Sequence, residues 1–145
     1  MRISRRFFSA LGLAAVLLSF VIFPAAAEEM PDHIHVNVDV KPGSYPNVIN
    51  LKSKGLVPVA LLGGPDFSVS AVDGGTVGFG RMHEAGAAPI RFAFEDVNLD
   101  GFMDMVFKFE ARATGLQPGD IEACLHGMLL SGEHFCGHDA VIVIG

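Results

Sequence analysis

Among 145 residues, the densest run of side chains able to do chemistry is Asp96-Val97-Asn98-Leu99-Asp100-Gly101-Phe102-Met103-Asp104. Oxygen-bearing side chains stand at its first, third and fifth positions, and glycine follows at the sixth. A hard dication such as Ca2+ takes six to eight oxygens at about 2.3–2.6 Å, and alternate residues of a tightly curled segment can converge on one point. Gly101 permits the left-handed backbone that carries the chain beneath the ion. The expected ligands are Asp96, Asn98 and Asp100 through their side chains, Phe102 through its carbonyl, and Asp104 through its carboxylate. Three carboxylates gathered without a cation repel one another, a cost that Ca2+ removes. The competing description is a solvated, Asx-rich hairpin turn that holds no ion.

The pattern departs from an EF-hand loop in two respects. Its twelfth position is Phe107 rather than a bidentate Glu, and its flanks alternate as strands do instead of carrying a helical stripe. The short form resembles loops of integrin-type propeller repeats and, in its first half, those of dockerins. That resemblance implies a structural metal, one that pins a turn and here ties the Phe92/Phe94 strand to the Met105/Phe107/Phe109 strand. Glu95 or Asp120 is a candidate to complete the shell.

A softer chemistry is offered by the histidines. His33-x-His35 sets two imidazoles on one face of an extended segment, and His134-x-Cys136-x-His138 repeats the spacing near the other end. If those two segments were neighbours they would make a site for Zn2+ or Cu2+. If not, they are the polar outer faces of separate strands. Ser131, His134 and Asp139 lie close in sequence, but no nucleophile elbow accompanies them. No Trp and a single Tyr, Tyr45, leave little for stacking a sugar, and no glycine-rich loop opens a helix to cradle phosphate. A hydrolase is therefore the weakest alternative, and the expectation is that the protein is not an enzyme.

The elements that must position these groups are strands. His33 to Lys41 alternates, with Ile34, Val36, Val38 and Val40 on one side. Leu56 to Leu62 is nearly all apolar and reads as a central strand, with Pro58 at a bulge or edge. Short apolar segments at 67–72 and 76–79 flank Asp73-Gly74-Gly75, which reads as a turn. Ile90 to Val97 and Met103 to Glu110 alternate again, and 121–130 and 140–144 close the chain. No window shows a helical stripe. The expected fold is all-β: a single antiparallel β-sandwich over 28–145, with seven to nine strands and Greek-key, Ig-like links.

Residues 1–27 read as an export signal. Arg2, Arg5 and Arg6 precede an apolar run from Phe7 to Phe23, then Pro24 and three alanines place cleavage before Glu28. The apolar run falls short of a bilayer span, so no membrane span is expected after cleavage. Ser4-Arg5-Arg6-Phe7-Phe8 also fits a twin-arginine route, though the strong apolar run favours general secretion. The mature chain keeps seven Lys/Arg against sixteen Asp/Glu, a formal charge near −9. Such a surface repels nucleic acid and attracts cations. In a secreted or periplasmic setting, Cys124 and Cys136 are expected to form one disulfide, the alternative being that both serve as thiolate ligands for a metal.

Several segments together resemble a module of exported bacterial and archaeal proteins. They are Val38-Asp39-Val40-Lys41-Pro42-Gly43-Ser44, Pro46-Asn47-Val48-Ile49-Asn50-Leu51-Lys52-Ser53-Lys54-Gly55 and Val57-Pro58-Val59-Ala60-Leu61-Leu62-Gly63, followed by Phe67-Ser68-Val69-Ser70-Ala71-Val72-Asp73, by Thr76-Val77, by Glu95-Asp96-Val97-Asn98 through Asp104-Met105-Val106, and by Leu116-Gln117-Pro118-Gly119-Asp120 with Cys124-Leu125-His126-Gly127. The resemblance spans nearly all of the mature chain and implies a β-sandwich with no established activity. In such loops Gly usually stands where this chain has Leu99, which is acceptable if that position is not left-handed. The combined expectation is an exported, non-catalytic, calcium-binding β-sandwich with a structural role or an extracellular ligand. The alternative is a periplasmic Cu/Zn binder using His33, His35, His134 and His138.

Overall fold

The computed structural model describes residues 32–145; the export signal expected at 1–27 lies outside the described residues. The described chain is an all-β sandwich of β1 (Ile34–His35), β2 (Asn37–Val40), β3 (Val48–Asn50), β4 (Leu56–Leu62), β5 (Val72–Gly80), β6 (Arg91–Glu95), β7 (Asp104–Glu110), β8 (Glu122–Leu129), β9 (His134–Ala140) and β10 (Ile142–Ile144). One sheet runs β1-β9-β8-β5 and the other β2-β4-β7-β6, with β10 and β3 forming a two-stranded ribbon. Ten strands exceed the seven to nine expected because β1, β3 and β10 are only two or three residues long. The β1–β9 and β3–β10 pairs are parallel, so the sandwich is not purely antiparallel.

The alternating run from His33 to Lys41 is not one strand. It divides at Val36, whose N–H donates to the Cys136 carbonyl at 3.0 Å. β1 then belongs to one sheet and β2 to the other. Val38 and Val40 continue the alternation into the core, so one stretch of period-two sequence stitches the two layers together.

β4 lies between β2 and β7 and is buried through Val57, Val59, Ala60 and Leu61, as a near-continuous apolar run requires. Pro58 sits inside this central strand. Its carbonyl accepts the Lys41 N–H at 2.8 Å just where β2 ends, and the Lys41 carbonyl takes the Ser44 N–H at 2.9 Å. The missing proline donor therefore falls at the end of the β2 ladder and leaves no acceptor orphaned.

Asp73-Gly74-Gly75 does not turn the chain. It lies within β5, where the register against β8 shifts between Asp73 and Gly78. Glycine signals a bulge as readily as a turn. A Cβ on Gly74 would come within 2.9 Å of the Phe92 ring, so glycine also admits that ring. Phe79, Phe107, Phe109, Phe135, Ile49, Leu61, Met105 and Leu125 fill one core between the sheets.

Candidate functional site

Two places in this frame gather chemistry, one on each sheet. Residues 96–103 connect β6 to β7, whose last paired residues are Glu95 and Asp104. The loop therefore joins the strands carrying Phe92 and Phe94 to those carrying Met105 and Phe107, which pair directly. Inside it, Asp96 accepts the Gly101 N–H at 2.9 Å and the Asp100 N–H at 3.3 Å. Asn98 accepts the Asp100 N–H at 3.4 Å, and Asp100 accepts the Phe102 N–H at 2.9 Å. The polar side chains thus fold back over the loop's own amides. Gly101 is left-handed at φ 87°, as its sequence position requires, and Leu99 is left-handed as well at φ 57°. A β-carbon at such a φ costs about 1–2 kcal/mol, so the substitution at 99 is not free. Leu99 is 89% exposed and recovers none of that cost by packing.

Asp104 has a different position from the other three. It is fully buried, and its two oxygens accept the Gly63 N–H and the Val97 N–H, each at 2.9 Å. It ties the base of the loop to the end of β4. A carboxylate offers about four lone-pair directions, so any ligand role must be shared with these bonds. Of the shell candidates, Asp120 accepts the Gln117 N–H at 2.8 Å and pairs with Arg81 at 3.2 Å, while Glu95 is exposed on β6.

The second place is the outer face of the β1-β9-β8-β5 sheet. A cleft of about 550 Å3 is lined there by His33, His35, His83, His126, His134 and His138 together with Cys124 and Cys136. These are all six histidines and both cysteines of the chain. Pairing explains the gathering. β1 lies beside β9, with His35 opposite Cys136, and β9 lies beside β8, with Cys136 opposite His126 and His138 opposite Cys124. The two histidine segments are therefore neighbours. Cys124 and Cys136 are free thiols with their sulfurs 3.0 Å apart. Burial, and then the hydrogen bond with Cys136, push the Cys124 thiol up to about 12. Among the described residues, no three His, Cys, Asp or Glu side chains already converge as a metal cluster, in the loop or in the cleft.

His134 shares its strand face with Cys136 and His138, whereas both Asp139 oxygens serve amide groups. Oδ2 accepts from Val40 N and from Asn47 Nδ2, and Oδ1 from Ala140 N. That carboxylate holds β2 against β9 and does not orient His134. His83 and His126 are absent from the metal candidates read in the sequence, and Cys124 enters there only as a thiolate alternative to the disulfide, apart from the histidines. The signal was present: Cys124-x-His126 has the same alternate spacing as the other two segments.

Among the described residues no helix is long and apolar enough to cross a membrane. Compared with protein-family models, curated proteins and solved structures, the chain matches none.

Proposed function

We propose that this is an exported, non-catalytic β-sandwich that binds Ca2+ through the 96–104 loop and performs a structural or surface-binding role outside the cytoplasm. The observation that carries the reading is the curl of the loop. Asp96, Asn98 and Asp100 each accept amides from within it, fixing three oxygen-bearing side chains around one turn. Each keeps further lone pairs for a cation. Asp104 anchors this turn to β4, so a bound ion would brace the β6–β7 hairpin against the sandwich. The formal charge near −9 that remains once the expected signal is removed adds a general attraction for cations. Without a twelfth-position Glu, and with Asp104 shared, the expected affinity is that of extracellular modules, roughly 10⁻⁴–10⁻³ M.

Titration calorimetry with Ca2+ tests this directly. The native protein should take up one equivalent with millimolar-range affinity, and Asp100→Ala should abolish the heat while the far-ultraviolet spectrum is unchanged. No heat from the native protein would refute the assignment.

A further inference from the structure

We propose that the outer face of the β1-β9-β8-β5 sheet is a site for a d10 cation of thiophilic character, Zn2+ or Cu+, held by His35, Cys136, His126 and Cys124. The row across three strands is the first support. Cys136 stands opposite His35 on one side and His126 on the other. Neighbouring strands lie about 4.7–4.9 Å apart, a spacing that ligand bonds of about 2.0–2.3 Å can span from a point above the central strand. Cys124 brings the second sulfur, already 3.0 Å from the first.

The surroundings of His126 are the second support. Its Nε2 lies 3.1 Å from the Glu84 carbonyl oxygen and 3.0 Å from that of Ala85. A carbonyl only accepts, so Nε2 carries a proton, and Nδ1 is the nitrogen whose lone pair the neutral ring offers a metal. A ring N–H donated to a backbone carbonyl is the contact that orients a metal-ligating imidazole and raises its basicity. Gly78 makes room for this ring: a Cβ there would stand 2.7 Å from Cε1.

Two nitrogens and two sulfurs form the tetrahedral set that Zn2+ and Cu+ favour and that Ca2+ does not. The site shares no residue with the 96–104 loop, so the two can fail separately. With His126 held by its carbonyl contacts, the His35, Cys136 and Cys124 side chains must turn toward the ion, since no three donors converge as they stand. Ligation deprotonates both thiols and releases two protons to solvent. A disulfide between the same sulfurs would remove both donors, so bridge and metal exclude each other.

The test uses reduced protein, purified without a histidine tag and titrated anaerobically with Zn2+, with Cu+ in a parallel arm and Co2+ as the spectroscopic probe. One equivalent should bind, and Co2+ should give a thiolate-to-metal charge-transfer band. Diamide, which takes up the two thiol hydrogens as the disulfide forms, should abolish that band. The His35→Ala and His126→Ala variants should each weaken Zn2+ binding by at least about tenfold, while Asp100→Ala should not. Absence of the charge-transfer band would overturn the proposal. So would unchanged Zn2+ affinity in the His35→Ala/His126→Ala double variant, a readout that needs no change at the buried Cys124.

Discussion

Asp104 is the residue on which the loop's geometry depends most. Its two oxygens hold amides from segments 41 and 7 residues away in sequence, and burial makes either amide costly to leave unpaired. Asp104→Ala should destabilise the fold by about 2–4 kcal/mol in urea unfolding, with EDTA present so that no ion contributes. Leu99 points the other way. Leu99→Gly should raise stability by about 0.5–1 kcal/mol, relief of the left-handed strain net of glycine's extra unfolded freedom. Asp39 gives a pH signature. Burial, then the nearby Asp139 and Asp104 carboxylates, hold it above the usual carboxylate range. The stability it contributes is full below its unfolded value and is lost as pH rises through the raised folded value. Asp39→Asn should therefore melt higher than the native protein at neutral pH. The two should converge in acid, below the ordinary carboxylate range.

Among the elements, β6 is the one most dependent on the loop. It is an edge strand paired only with β7, and all five of its residues are exposed. Phe92 and Phe94 are half-exposed and lean on Phe107 and on each other. Few buried contacts hold it, so it belongs to the low-stability end of the molecule. Hydrogen exchange of the Arg91–Glu95 amides should speed up in EDTA and slow in Ca2+, while β4 and β8 amides stay protected in both. Equal rates in the two conditions would separate the loop from β6 stability. The strands β2, β4 and β7 were legible because each buries one side or both, and β6 because Phe92 and Phe94 alternate along it even though both stay half-exposed. β9 was less so: between His134 and Ala140 only Phe135, Cys136 and the terminal Ala140 are apolar, and Gly137 and Asp139 occupy inward positions. Its pairing with β1 joins segments about a hundred residues apart. No local pattern reports that contact, and so the gathering of His33 and His35 with His134 and His138 could be stated only as a condition, and His83 and His126 were not part of it. Gly74 and Gly75 misled for the opposite reason, since glycine marks a turn and a bulge with the same letter.

At the scale of the whole molecule, two sheets close over one aromatic core, and each carries its own candidate cation chemistry: oxygen donors on the β6–β7 hairpin, nitrogen and sulfur donors across β1, β9 and β8. The core between the sheets is aromatic and apolar, with Phe79, Phe107, Phe109 and Phe135 fully buried. A bound ion adds stability by mass action alone. With affinity of roughly 10⁻⁴–10⁻³ M, about 10 mM Ca2+ supplies about 1.4–2.7 kcal/mol. For a domain of this size that is a rise of roughly 5–10 °C in Tm. Scanning calorimetry in EDTA and in about 10 mM Ca2+, with Mg2+ at equal ionic strength as the control, measures it directly. The calcium assignment predicts that rise for the native protein and none for Asp100→Ala; superimposable melts of the native protein in EDTA and in Ca2+ would contradict it.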